Sequence, residues 1–293
     1  PTNSAASMSD EEVSEAYFSQ SIRLDAALVG AFKGCVAMIA PDAVAKLITP
    51  SVESELSSME LVRLSTSIPV PKGIKYAWMD KQRLGRFIVQ QFIPGQVLSL
   101  VWPTMSRWRR FRVALTLRYY VHELRALSHR IGPPSYPGPL SEHGPQICHG
   151  RLFTTSGDCG PFKSYLEMSR WYQNRLLVLQ RFGKADADVV QFDDTEPLVF
   201  THFDIRMDNV MVGDDGQLWL IDWAESGWYP RWFESASMLK EAEMSRAPWL
   251  SWVPFIAGNC NKPGQYPFIQ AIAYALEVLT YIMNLVRLLL FFY

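Results

Sequence analysis

Two short apolar runs, Val210-Met211-Val212 and Leu218-Trp219-Leu220-Ile221, are separated by little more than Gly213-Asp214-Asp215-Gly216. Runs of that length read as strands. Asp and Gly between them supply the positive φ that a tight antiparallel turn needs. Folding the hairpin about Asp214-Asp215 sets position 209 roughly opposite position 220. Asp222 then returns close to Asn209, and Asp204 stands at the entrance to the loop before the hairpin. Three oxygen-bearing side chains, Asp204, Asn209 and Asp222, are therefore expected at one end of this unit.

The 293 residues, 48% of them hydrophobic, suit one large domain or two lobes. A net charge of −1 with 19% charged residues excludes the basic footprint of a nucleic-acid binder. Arg107, Arg109, Arg110 and Arg112 alternate with apolar residues and read as a solvated helix face. The cysteines, Cys35, Cys148, Cys159 and Cys260, are scattered without a CxxC pair. They fit neither a disulfide framework nor a zinc site, and they point to a reducing, cytoplasmic compartment. The opening segment is polar and acidic, the opposite of a secretory leader. His122, His129, His143 and His149 lack metal-like spacing. The ten tryptophans read as packing rather than as a cage for a cationic ligand.

Ser9 with Glu12 three residues later is a capping box that starts a short helix. Residues 28–47 break into short apolar runs around Gly30, Gly34 and the Pro41-Asp42 turn, as in a hairpin. Residues 52–65 have a helical period, and residues 85–95 form one more strand ending at Pro94-Gly95. From Ser106 the chain turns helical. Val113, Leu117, Tyr120, Val121, Leu124, Leu127 and Ile131 make a 3.6-residue stripe that Gly132-Pro133 stops. A Gly/Pro/Ser-rich loop over 132–161 precedes an aromatic helix around Tyr165 to Phe182, and a turn at residues 193–197 leads into a strand at 198–200. The apolar tail from Phe268 to Tyr293 has the length of a membrane span. However, Gln270, Glu277, Thr280, Asn284 and Arg287 line one narrow face, which favours core or interface packing over a bilayer.

An Asp–Asn–Asp set suits magnesium, which takes oxygen ligands through one or two carboxylates plus substrate phosphates. A separate carboxylate would then accept the proton of an attacking hydroxyl. Asp204 fits that base, Asn209 and Asp222 fit the metal ligands, and His202 is placed to hold the loop. The bland alternative is a polar hairpin with Asx turns, which accounts for Asp214 and Asp215 fully.

The stretch His202-Phe203-Asp204-Ile205-Arg206-Met207-Asp208-Asn209, followed by Leu220-Ile221-Asp222-Trp223, resembles the HxDxxxxN catalytic loop and metal-binding Asp of the aminoglycoside phosphotransferase and choline kinase family. Trp223 after the Asp, and no long activation segment beyond it, resemble the small-molecule kinases rather than the protein kinases. The resemblance covers most of residues 28–240. It implies an α+β, bilobal, protein-kinase-like fold with a small antiparallel-sheet N-lobe and a larger, mostly helical C-lobe. The implied divisions are 1–27 as an N-terminal extension, 28–93 as the nucleotide-binding lobe and 94–293 as the C-lobe. The resemblance further implies ATP and Mg2+ as cofactors and a small-molecule hydroxyl acceptor. Lys46 matches the lysine on the α and β phosphates. Glu55 matches its ion-pair partner, with Glu53 and Glu60 as rivals, and Gln91 with Ile93 matches the adenine hinge. Two departures stand out: Phe203 sits where antibiotic-resistance members usually carry Gly, and residues 30–35 lack the protein-kinase Gly-rich pattern. Glu234 stands where many relatives have an acidic residue and reads as a structural cap or pair. The rival expectation to an enzyme is a catalytically inactive, kinase-like nucleotide-binding or scaffold protein.

Overall fold

The computed structural model describes residues 5–19, 35–48, 54–83, 85–153, 159–258 and 265–279. Along these residues the strands are β1 (Val36–Ala40), β2 (Ala43–Ile48), β3 (Gly73–Trp78), β4 (Arg86–Gln91), β5 (Gly95–Val97), β6 (Gly138–Pro139), β7 (Leu198–Thr201), β8 (Val210–Gly213), β9 (Leu218–Leu220) and β10 (Gly227–Pro230). The longer helices are α1 (Asp10–Ser19), α2 (Ser54–Ser65), α3 (Arg107–Ile131), α4 (Tyr165–Arg181), α5 (Phe233–Met244) and α6 (Gln265–Tyr274). This is the mixed α+β architecture that the sequence implies. The chain divides into two compact units, Pro1–Thr116 with Ile205–Ala224, and Leu117–Asp204 with Glu225–Tyr293.

In the first unit, the Ser9 hydroxyl accepts the Glu12 N–H at 3.1 Å, and the Glu12 carboxylate accepts the Ser9 N–H at 2.6 Å. The expected capping box therefore starts α1. An antiparallel sheet runs in the order β1-β2-β4-β3. Alternation along β1, β2 and β4 sends Ala37, Ile39, Ala43, Ala45, Phe87 and Val89 into one buried cluster with Val13 and Tyr17 of α1. The same alternation turns Val44 and Lys46 to the opposite face. Strand β3 was not expected: four of its first five residues are only half-buried, so its pattern lacks the apolar alternation of a strand packed on one face. Gly30 and Gly34 lie outside the described residues.

A second sheet of this unit runs β5-β8-β9. Gly95 carries φ +150°, and a Cβ there would lie 2.3 Å from the Val212 carbonyl oxygen. The backbones thus approach too closely for any side chain, which makes residues 95–97 a strand where a turn was expected. The expected β8–β9 hairpin is present, but its register differs by one residue. Val210 pairs with Leu220 and Val212 with Leu218, so the fold axis falls on Asp215 and Asn209 meets Ile221 rather than Leu220. The reason is a three-residue loop closed by Gly213 N–H to Gln217 O at 2.8 Å, with Gly216 at φ +82°.

The division between the units falls inside α3, which the Ser106 hydroxyl caps by accepting the Arg109 N–H at 3.3 Å. Leu117, Tyr120, Val121, Leu124 and Leu127 are buried as their spacing predicts, whereas Ile131 in the last turn is 51% exposed. The second unit has a small antiparallel sheet, β6-β10-β7. Its core is an aromatic cluster that includes Phe153, Tyr172, Phe192, Phe203, Tyr229, Phe233 and Phe268. The apolar tail begins within this core: Phe268, Ile269, Ile272, Ala275 and Leu276 are buried. Residues 280–293 lie outside the described residues. No helix among the described residues is long and apolar enough to cross a membrane.

Candidate active site

Lys46 stands mid-strand on β2, and its ammonium lies 3.0 Å from both carboxylate oxygens of Glu55 on α2. It also reaches Asp222 Oδ1 at 2.5 Å. Lys46 and Glu55 are 6% and 0% exposed. Burial alone would lower the ammonium's pKa. The two carboxylates outweigh it, so Lys46 is held above the ordinary lysine value. Of the rival partners, Glu60 pairs with Arg63 at the surface, and Glu53 lies outside the described residues.

The turn that presents Asp222 is pinned from both sides. The fully buried Trp223 donates its indole N–H to the Leu220 carbonyl at 3.1 Å, and its backbone N–H to Glu55. Glu55 therefore orients the lysine and fixes the peptide that carries Asp222. Asp222 itself sits at φ +66°. Asp is among the few residues that tolerate this region, and such strain persists only where the surroundings over-determine it.

Asn209 is fully buried at the base of the hairpin, where its carbonyl accepts the Ile221 N–H at 3.0 Å. Asn209 and Asp222 thus occupy the same end of β8–β9. The set fits a hard cation in donor type, an amide oxygen and a carboxylate. It also fits in charge, since one ammonium between two carboxylates leaves an excess negative charge. Among the described residues no group of three or more His, Cys, Asp and Glu is placed to hold a metal ion. Two protein ligands completed by phosphates remain compatible with that observation.

Gln91 ends β4, with its N–H on the Lys72 carbonyl at 2.9 Å and its side-chain oxygen accepting the Lys72 N–H at 3.2 Å. Ile93 is buried in an apolar patch with Val97 and Met211, against Trp219 and Ile221.

In the second unit, β7 delivers His202, Phe203 and Asp204. The Glu234 carboxylate, at the start of α5, accepts the His202 N–H at 2.7 Å and the Phe203 N–H at 3.1 Å. Ser237 donates its hydroxyl to the Phe203 carbonyl at 2.7 Å. The Asp204 N–H then donates to His202 Nδ1 at 3.3 Å. Phe203 has φ +68°, a region glycine adopts without cost. Here the bent backbone is held instead by these four hydrogen bonds and by the ring. Phe203 stacks on Tyr229 with centroids 4.7 Å apart and on Phe233 at 5.6 Å. Burial raises the Glu234 pKa to about 7, against opposing pulls from the Phe203 and His202 N–H groups and from Arg125.

Two contributors were not read from the sequence. Arg151, in the loop taken only as Gly/Pro/Ser-rich, places its guanidinium 3.3 Å from Asp204 Oδ1. Lys240 of α5 holds the Arg151 carbonyl at 2.9 Å. Gly150 lets this loop pass: a Cβ there would lie 2.5 Å from the Phe203 ring and 2.8 Å from Glu225 Oε2, and its φ is +115°. Glu234 is structural, as expected, but what it supports is the backbone beside Asp204. No sequence signal shows that reach, which spans 30 residues or more.

No curated protein matches the sequence. Among solved structures the chain is similar to a thermostable mutant of aminoglycoside phosphotransferase APH(4)-Ia in its apo form, at 14% identity and TM-score 0.48, covering 78% of this chain and 75% of that one. It is also similar to such a mutant in ternary complex with ADP and hygromycin B, at 14% identity and TM-score 0.47, covering 79% and 75%. A third similar structure is choline kinase LicA from Streptococcus pneumoniae, at 14% identity and TM-score 0.39, covering 81% and 75%. The model of the phosphotransferase enzyme family (APH) matches residues 36–257, from the first strand through the helices beyond Asp222. Since that match takes in most of the chain, the protein belongs to the phosphotransferase enzyme family.

Proposed function

We propose that this protein is an ATP-dependent phosphotransferase that moves the γ-phosphate to a hydroxyl of a small molecule. The observation that carries this reading is the buried cluster in which Lys46 is shared between Glu55 and Asp222. A buried charged cluster is a costly way to stabilise a fold. It is well suited to meeting a polyphosphate and its counter-ion. Lys46, aligned by Glu55, is the donor to the α and β phosphates. Main-chain groups of Gln91 and Ile93 take the adenine. Asn209 and Asp222 would hold magnesium, which when bound neutralises charge on the phosphates.

Asp204 accepts the proton of the acceptor hydroxyl and orients it. His202 keeps the loop in shape through the Asp204 N–H, and Glu234 with Ser237 fixes the backbone before it. In this reading residues 28–93 are the nucleotide lobe, residues 94–293 the catalytic lobe and residues 1–27 an extension. The enzyme works in the cytoplasm.

The test is thermal stabilisation by ATP with and without magnesium, for the parent and for Asp222→Ala, since a ligand that binds the native state raises its apparent stability. A magnesium-dependent rise in the parent that disappears in Asp222→Ala is expected. Asp204→Asn should keep the rise and lose transfer. No rise at saturating nucleotide would replace this reading with the inactive, scaffold-like one.

A further inference from the structure

Cys148 and Cys159, scattered in sequence, face each other across an isolated antiparallel bridge. The Cys148 N–H donates to the Cys159 carbonyl at 2.8 Å. Residues directly opposite in an antiparallel pair point to the same side, with Cα atoms about 4.5–5.5 Å apart. That spacing lies inside the range of about 4.4–6.8 Å over which a disulfide closes without backbone movement. Both residues carry thiols, and each is 1% exposed. Burial, and then the neighbouring Cys159, push the Cys148 thiol above its ordinary pKa, against a weaker opposing effect of the Tyr229 hydroxyl.

The surroundings connect this pair to Asp204. Tyr229, whose hydroxyl faces Cys148, stacks its ring on Phe203. Three residues after Cys148, Arg151 reaches Asp204.

We propose that Cys148 and Cys159 form a modification site, a dithiol that closes to an intrachain disulfide on exchange with a low-molecular-weight disulfide such as oxidised glutathione. One cysteine, as thiolate, attacks the oxidant's S–S bond. A mixed disulfide forms, and one glutathione leaves and takes up the released proton. The second cysteine, as thiolate, attacks the protein sulfur of that mixed disulfide. The Cys148–Cys159 bond forms, and the second glutathione leaves with the second proton. Two electrons pass from the protein thiols to the oxidant, and one disulfide replaces another.

Burial penalises the thiolate, so it slows this exchange. The dithiol and the disulfide are both uncharged, so burial does not decide the equilibrium. Two cysteines held opposite each other on one bridge have a high effective concentration, which favours closure over a lasting glutathione adduct. Closure ties together both ends of the segment that carries Arg151. The inference stands apart from phosphoryl transfer and does not depend on it.

The experiment equilibrates the full chain across a series of glutathione redox buffers, with a parallel series in urea below the unfolding transition so that access is not limiting. Denaturing alkylation and peptide mass spectrometry follow. A cross-linked peptide joining Cys148 to Cys159, two hydrogens lighter than the reduced pair, should become the main species in oxidising buffer. It should persist in the double variant Cys35→Ser/Cys260→Ser and vanish in Cys159→Ser. The proposal is overturned if both thiols still alkylate after the most oxidising buffer in urea. It is equally overturned if glutathione adducts predominate, or if either residue links to Cys35 or Cys260 instead.

Discussion

Replacing Glu234 by Gln tests the loop support and its energetics together. Glu234 is 1% exposed, and burial raises its pKa from the ordinary 4.5 to about 7. The sign follows from proton linkage. Between those values the unfolded chain has already lost the proton that the native protein keeps, so native stability falls as pH rises from about 4.5 to about 7. At roughly 1.4 kcal/mol per pH unit, the decline attributable to this group is about 3 kcal/mol. Gln cannot ionise, so Glu234→Gln should lack that decline. Its deficit relative to the parent should be largest below about pH 4.5 and shrink by about 3 kcal/mol by about pH 8.

Thermal unfolding of both proteins across that range is the assay, because their difference cancels every other titrating group. For a chain this long, 3 kcal/mol corresponds to a midpoint change of about 5 °C. A parent–variant difference that does not move with pH would refute the assignment of a raised pKa. It would show that the two backbone N–H donors already keep Glu234 ionised.

Lys46→Met should destabilise by about 3–5 kcal/mol, because it leaves the Glu55 carboxylate buried without its cation, and adding Glu55→Gln should restore part of the loss. Thermal midpoints of the single and double variants check this. Gly150→Ala should cost at least about 1–3 kcal/mol, since the new Cβ meets the Phe203 ring and the backbone is left-handed there. Urea unfolding of that variant beside Gly144→Ala, whose Cβ would meet nothing within 4 Å, separates the clash from the φ penalty.

The parts of this molecule that were legible in the sequence are those set by neighbours in the chain. The capping box at Ser9, the stripe of α3 and the hairpin around Asp214-Asp215 all follow from local spacing. The hairpin register was misread by one because two aspartates and two glycines permit several loops. Only the hydrogen bond from Gly213 to Gln217 selects the three-residue one. The Lys46–Glu55 pair could be named only through a family resemblance, with Glu53 and Glu60 open as alternatives. The geometry brings Glu55 to Lys46 and leaves Glu60 with Arg63. Arg151 and the reach of Glu234 were not legible. Their partners are set by how β7, α5 and the loop after β6 pack, and nothing in the spacing of an arginine among glycines announces a carboxylate 53 positions away.

The interlock of Gly150 with Phe203 also constrains how this sequence can change. A side chain at 150 is excluded as long as the ring fills that space, and the ring leaves the strained position at 203 no easier to hold by a smaller residue without the stack on Tyr229 and Phe233. The order of substitution therefore matters. A chain that first exchanges Phe203 for glycine removes the ring clash at position 150 and leaves there the approach to Glu225 and the penalty of the left-handed φ, whereas one that first changes position 150 meets all three. In related chains a residue other than glycine at 150 should be found only beside a small residue at 203.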